Sequence, residues 1–239
     1  MIKIEKIDTY GWEAAIRGAR NPMNSWDRSD SHYCDVYANS YFHSTKSCCC
    51  ESAPEEFMCP GESTSGYILG KNDLDLLNRL SKAGTDHGKF MRMIGVTMDI
   101  TAPLYWWKEA STYKVGTVEN SCSTMHKIHA KEFTVDDFST DHMTPLSIYT
   151  LKEVIKVLNL ERLTFVNNKN KDSWWQMIQL LPSSYNQKRT WSANYAVLKN
   201  IYHARKDHKL DEWKEFCKVI EKLPYSELIT GEENEDNSK

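Results

Sequence analysis

The sequence predicts an α+β fold in a single elaborated domain, and three observations point there. Residues Ile2-Lys3-Ile4-Glu5-Lys6-Ile7 alternate apolar and charged side chains, the period of a half-buried strand. Several later segments repeat apolar residues every three or four positions, the period of a helix with one buried face. A chain of 239 residues with 40% apolar and 11% aromatic content is also long enough to bury one substantial core. The expected architecture is a mixed sheet with flanking helices and a long helical C-terminal part. It spans residues 1–230, with an irregular insertion at 25–66 and an acidic flexible tail at 231–239.

After the opening strand, Trp12–Arg20 reads as a short helix closed by Asn21-Pro22, because proline cannot continue the backbone ladder. From Ser25 to Gly66, serine, glycine, proline, cysteine and acidic residues dominate without sustained periodicity, as in an inserted loop. Asn72 or Asp73 can cap a helix whose Leu74, Leu77 and Leu80 recur at helical spacing, with Gly84 as its stop. Phe90 to Ile100 reads as a buried strand. Thr101 then serves as N-cap, and Pro103 sits in the first turn of a helix from Ala102 to about Ser111. Its Tyr105, Trp106 and Trp107 are assigned to the core rather than to a ligand platform. Thr112 to Ile128 lacks helical periodicity and reads as loop and strand. Thr150 to Leu158 is apolar at 151, 154, 155 and 158, one helical face, and Ser173 to Leu181 is a further helix ended by Pro182. Trp191, Tyr195, Leu198 and Tyr202 form a helical stripe, as do Trp213, Phe216, Cys217 and Ile220 before Pro224.

Thirty basic against 33 acidic side chains give a net charge of −3, which argues against a bulk nucleic-acid or anionic-membrane binder. A local basic pocket remains possible. No apolar run approaches the roughly 20 residues that cross a bilayer, and the charged start is unlike a secretory leader. A cytoplasmic protein is expected. Seven cysteines, at 34, 48, 49, 50, 59, 122 and 217, are odd in number with three consecutive, which suits free thiols better than a disulfide framework. Cys48, Cys49, Cys50 and Cys59 with nearby His43 read either as zinc ligands or as a loop. Without paired C-x2-C knuckles the loop is preferred, and no metal is assigned.

Common enzyme motifs are absent: there is no G-x-G-x-x-G, no Walker loop, no G-x-S-x-G elbow and no H-E-x-x-H. What stands out is the segment Thr112–Lys127, dense in hydroxyl, amide, thiol and basic side chains. The stretch from Leu80 to Ile128 resembles the central part of the flavin-dependent thymidylate synthases. It shares a helix, a turn bearing glycine and histidine, a strand ending in Ala-Pro, an aromatic-rich helix and then the signature segment. In the family that signature is an Arg-His-Arg triplet and, beyond a seven-residue spacer, a serine. Anchored on Ala102-Pro103, the register runs without a gap and places Thr112-Tyr113-Lys114 on the triplet and Cys122 on the serine. A second block, Leu181-Pro182, Trp191, Asn194, Leu198, Asn200, Arg205 and Asp207, is similar to the family's C-terminal motif. Together the blocks cover about a third of the chain.

The resemblance implies roles for individual residues. Asn194 and Asn200 fall on flavin-contacting asparagines, and Arg205 on an arginine that contacts the uracil ring. Helix geometry allows Asn194 and Arg205 one face, about three turns and roughly 16 Å apart. The alternative is a surface helix with a solvated terminal cation favoured by the helix dipole. His87 matches a histidine near the flavin, or is a solvated turn residue. Tyr113 stacks on a ring or packs in the core, and Asn120 joins the flavin contacts. Lys114 neutralises a phosphate as a point charge, without the planar fork of arginine. Ser121, Cys122 and Ser123 stand at the nucleotide, although either serine can instead satisfy its own turn. Glu109 matches a glutamine near the nucleotide; a solvated helix-end acid is slightly preferred. A Cys122 thiolate adding to carbon 6 of the pyrimidine is a further option, with packing as its alternative.

For the whole protein the resemblance implies FAD, with NADPH and methylene-tetrahydrofolate as cosubstrates. A one-carbon unit passes to carbon 5 of dUMP and a flavin hydride reduces it, giving dTMP. It also implies a homotetramer with its sites at subunit contacts. Two departures weigh on this. Thr112 and Lys114 replace signature arginines, and Thr124 replaces the arginine after the serine. Each lost charged contact costs roughly 1.5–3 kcal/mol when nothing substitutes. Either Lys127, Lys188 or Arg189 compensates, or the nucleotide differs, or the site no longer turns over. The alternatives are therefore a homologue that binds a pyrimidine nucleotide or flavin without catalysis, and an enzyme acting on a different pyrimidine nucleotide.

Overall fold

A computed structural model describes residues 2–34 and 64–231. Cys48, Cys49, Cys50, Cys59, His43 and the tail beyond Gly231 lie outside the described residues. In chain order the first elements are β1 (Lys3–Tyr10), α1 (Trp12–Arg20), β2 (His32–Tyr33), β3 (Tyr67–Ile68), α2 (Lys71–Lys82), β4 (Gly95–Pro103), α3 (Leu104–Ala110) and β5 (Val118–Ser121). They are followed by α4 (Pro145–Asn168), α5 (Lys171–Leu180), β6 (Asn186–Asn194), α6 (Tyr195–Arg205), α7 (Asp211–Glu221) and α8 (Glu227–Thr230). The main sheet has the strand order β1-β4-β6-β5, and β2 pairs antiparallel with β3. The chain thus adopts the expected α+β class. It packs as two compact units, and β1, β4, β5 and β6 each contribute residues to both.

The first unit takes the residues up to Glu5, Asp99–Lys114 and Glu119–Trp191. Its core joins Ile128, Phe133 and Phe138 to Leu151, Ile155 and Leu158 of α4 and Met177 of α5. Helix α4 runs 24 residues, well beyond the segment expected at 150–158. Its start is set by Thr144, whose side chain accepts from Ser147 N–H, and by Pro145 in the first turn. Asn159 fastens the preceding loop, accepting from Phe133 N–H at 2.8 Å and donating to Phe133 O at 2.9 Å. The helix expected from Ala102 begins instead at Leu104, with Thr101 and Ala102 still in β4. A residue before proline is pushed out of the helical region, so Ala102 stays extended and Pro103 becomes the cap. Trp191, read as part of a helical stripe, belongs to β6, where Gln187, Arg189 and Trp191 share one face at a period of two.

The second unit takes Lys6–Met98, Val115–Val118 and the residues from Ser192 onward. Trp12 is buried edge-on to Tyr195 and Tyr225, and its Nε1 donates to Thr9 Oγ1 at 3.0 Å. Gly11, at φ +84°, lets α1 start against Met93, whose carbonyl oxygen would lie 2.1 Å from any Cβ there. Asp73 does not cap α2. It is fully buried and accepts from Arg20 Nε at 2.5 Å and from the hydroxyls of Ser29 and Ser31. The cap comes from elsewhere: Asp30 accepts from the backbone N–H groups of Asn72 and Asp73. The start of the segment read as irregular therefore has order, with a 3-10 turn at Trp26–Arg28 and strand β2. The strand expected from Phe90 starts at Gly95, because Gly88–Arg92 forms a 3-10 turn that buries Phe90 and Met91 and leaves Lys89 and Arg92 outside.

Candidate functional site

In the second unit, α6 is the element that carries functional side chains. Asn194 fixes its start, its Oδ1 accepting from Val197 N–H at 3.0 Å. Gly116, at φ +76°, passes so close that a Cβ would lie 3.0 Å from both Asn194 Nδ2 and Val197 Cγ2. From this start the helix presents Ala196, Lys199, Asn200 and His203 to a cavity of about 310 Å³. The remaining lining is Ser81 at the end of α2, Gly84, Thr85 and Gly88 of the following turn, and Met91 with Arg92.

The cavity has a definite polarity, since no carboxylate is among its lining residues. Lys199 is half-buried, and its Nζ donates to Ser81 O and Ser81 Oγ, both at 2.8 Å. Burial lowers its pKa below the ordinary lysine value. Ser81 Oγ in turn donates to Leu228 O at 2.8 Å, which leaves its lone pairs for the ammonium. The side chains of Arg92, Asn200 and His203 are exposed and have no hydrogen-bond or ion-pair partner among the described residues. His87 belongs to the same turn, closed by Gly88 N–H to Gly84 O at 2.9 Å, but its ring is exposed and not among the lining residues. Arg205 is five residues beyond Asn200, about 140° round the helix at roughly 100° per residue. Its guanidinium lies over the Trp213 ring at 4.8 Å, outside this lining. The structure thus brings Asn200 to the Gly84–Gly88 turn and leaves His87, Asn194 and Arg205 off the cavity wall.

In the first unit, α3 ends where Thr112 Oγ1 donates to Glu109 O at 2.6 Å, and β5 carries Asn120 and Ser121 into solvent. Glu109 and Tyr113 are half-buried. Cys122 is exposed and held by backbone only: its N–H donates to Lys188 O at 2.9 Å and its carbonyl accepts from Gln187 Nε2 at 2.7 Å. Ser123 Oγ accepts from His126 N–H at 2.9 Å, so it satisfies its own turn and keeps its proton and one lone pair for a ligand. Lys114 and Lys127 are exposed with no acidic partner among the described residues.

Two of the three cations expected to replace the signature arginines are already engaged. Lys188 pairs with Asp99 at 3.0 Å, which raises its pKa. Arg189 Nη1 donates to Glu119 Oε1 at 2.7 Å and Ser111 Oγ at 3.1 Å, while Nε and Nη2 both donate to Gln187 Oε1. Its Cζ also lies 4.3 Å from the Trp107 ring centroid. A guanidinium satisfied on all three nitrogens and stacked on indole is a structural clamp, which argues against Arg189 as the compensating cation.

Sequence reasoning missed Ser81, Arg92, Lys199 and His203. A partial signal existed, since Lys199 and His203 are four apart and Asn200 and His203 three apart on one helix. Nothing local showed that Arg92 and Ser81 would join them, because they lie on different elements. Among the described residues, no group of three His, Cys, Asp or Glu is placed to hold a metal ion, and no helix is long and apolar enough to cross a membrane.

No family model matches the chain, and no curated protein matches it in sequence. Solved structures do match the fold. A flavin-dependent thymidylate synthase from Helicobacter pylori, complexed with FAD and dUMP, aligns over 96% of this chain and 98% of its own, at 15% identity and a TM-score of 0.59. A second structure of the Helicobacter pylori enzyme with FAD and dUMP aligns over 96% and 97%, at 15% identity and a TM-score of 0.58. A UMP/dUMP methylase from Streptomyces cacaoi, bound with 5-Br dUMP, aligns over 97% and 95%, at 14% identity and a TM-score of 0.59. The fold of this chain is of the type those proteins share.

Proposed function

We propose that this chain is a flavin-dependent enzyme that modifies a pyrimidine nucleotide at carbon 5, with dUMP as the reference substrate. One combined observation supports the reading: a near-full-length fold likeness to proteins solved with dUMP or its analogue accompanies a cavity that joins Asn200 to the Gly84–Gly88 turn. The cavity residues fit part of a flavin nucleotide, offering the Asn200 amide, the Ser81 and Thr85 hydroxyls and cations without a lining carboxylate. At about 310 Å³ it takes one end of such a cofactor, being at the small end of the roughly 300–1,000 Å³ of ligand pockets. Bound flavin would supply a hydride to the one-carbon unit.

In this reading Asn194, Asn200, His87, Tyr113 and Asn120 orient the flavin, while Glu109, Ser121, Cys122 and Ser123 contact the nucleotide. Arg205 polarises the uracil ring, and Lys114 neutralises a phosphate. NADPH and methylene-tetrahydrofolate are the cosubstrates, and the active form is a cytoplasmic homotetramer of a domain spanning 1–230. A second reading, a different pyrimidine nucleotide as substrate, is favoured by Thr112 and Thr124 at arginine positions together with the full engagement of Arg189.

The test begins with the visible spectrum of the purified full-length chain, where oxidised flavin absorbs near ~450 nm. Incubation with dUMP, methylene-tetrahydrofolate and NADPH should then yield dTMP. Bound flavin without dTMP would transfer support to the second reading. A colourless protein that takes up neither FAD nor dUMP would overturn both.

A further inference from the structure

We propose that Arg92, Lys199 and His203 form a phosphate-binding set, so that the α6 cavity receives the phosphate group of a nucleotide ligand. This rests on the reading that the cavity belongs to the cofactor or nucleotide site. Arg92 follows the Gly84–Gly88 turn, while Lys199 and His203 come from α6, so two separate parts of the chain bring basic groups to one cavity of about 310 Å³. No lining carboxylate offsets them. Lys199 is the informative member, because its ammonium is partly withdrawn from water and its hydrogen bonds go only to the neutral Ser81 carbonyl and hydroxyl. A partly desolvated cation without a counter-charge favours an incoming anion, and burial already lowers its pKa in the direction that binding would reverse. Arg92, without a partner among the described residues, supplies the planar fork that matches phosphate oxygens.

The larger cleft of the second unit, about 1290 Å³, does not share this character. Arg20 there is already paired with buried Asp73, and Arg28, Arg79 and Lys82 are matched in number by Asp27, Asp75 and Glu227, so the cleft has no net preference for anions. Of these two cavities, the α6 cavity is the one whose lining charge is one-sided.

Two sources share the chemistry, the monophosphate of dUMP and the diphosphate of FAD. The experiment uses the full-length protein and follows acylation of Lys199 by peptide mass spectrometry at constant ionic strength. Inorganic phosphate, dUMP, FAD or chloride is titrated in. Phosphate and one of the two nucleotides should protect Lys199 saturably, and chloride should not. The nucleotide that protects at the lower concentration identifies the source. Exposed Arg92→Ala should raise the protecting concentration about tenfold or more, the effect of losing one charge-assisted contact. Lys199→Met should lose nucleotide affinity while keeping a cooperative unfolding transition, and Lys199→Arg should restore part of that affinity.

Protection by chloride equal to that by phosphate would overturn the proposal, as would wild-type nucleotide affinity in both Arg92→Ala and Lys199→Met. The two readings fail separately. A colourless protein whose Lys199 is still protected by phosphate defeats the flavin reading and leaves this one. A yellow, active protein whose Lys199 reacts equally with and without every ligand does the reverse.

Discussion

Asp73 is the third residue of α2, where a carboxylate ordinarily caps the helix or faces water, yet it is fully buried against Arg20. Burial pushes its pKa up, but hydrogen bonds from Ser31, Ser29 and Arg20 outweigh that and hold it below the usual value. A carboxylate whose folded pKa lies below the unfolded value of about 3.9 contributes stability that is present above about pH 5 and lost as pH falls through the folded pKa. Urea unfolding should therefore weaken below about pH 5, and Asp73→Asn should flatten that part of the profile. Arg20→Ala strands the buried carboxylate and should lower stability at neutral pH by about 3–5 kcal/mol. Equal urea midpoints for Arg20→Ala and wild type would refute the account. The sequence marks Asp73 as a helix-start residue but not as this one. Its partner lies 53 positions away, and only the fold decides that Asp30 takes over the cap. The same limit hid the clamp on Arg189, whose partners Ser111, Glu119 and Gln187 lie just past α3, in β5 and in β6.

At the scale of the element, α6 shows what was legible. Its Asn-led start and apolar face were readable from spacing, and Tyr195, Leu198 and Tyr202 are indeed buried. Trp191 was misread because a period-two strand running straight into a helix places it by chance on the helical count. Asn194 holds two properties that can be separated: its oxygen caps the helix, which leaves its nitrogen as the group free to meet the flavin it is proposed to orient. Asn194→Ala should cost about 0.5–2 kcal/mol of stability through the lost cap. Asn194→Ser and Asn194→Asp keep an acceptor and should unfold within a few tenths of a kcal/mol of wild type. If the amide nitrogen also holds the cofactor, these two should still release flavin, read as a drop in absorbance at unchanged unfolding midpoint. Full flavin retention in the serine variant would remove Asn194 from the cofactor contacts and leave it a cap.

For the molecule as a whole, the α+β class followed from periodicity and composition, because those report one-sided burial directly. The cavity did not, because its wall is assembled from elements more than a hundred residues apart in the chain. Helix α4 was under-read for a third reason: it is apolar on two sides, and a second stripe cancels the one-sided pattern that marks a helix. Leu151, Ile155 and Leu158 face the core. Leu146, Tyr149, Val157, Leu160 and Leu163 remain 74%, 64%, 45%, 63% and 50% exposed, and at roughly 100° per residue they fall in an arc of about 120° centred opposite the core face. Glu153 and Lys156 pair at 2.6 Å within that stripe. Monomers rarely leave so many large apolar side chains of one helix in water, and a second copy of this chain is the proposed cover, in keeping with the proposed homotetramer. Replacing Leu160 and Leu163 together with glutamate should then shift the sedimentation coefficient to a smaller species. The far-ultraviolet circular dichroism should be unchanged, because neither residue touches the α4 core. A wild-type protein that sediments as a monomer, or a double variant that assembles like wild type, would show that this face does not hold copies together.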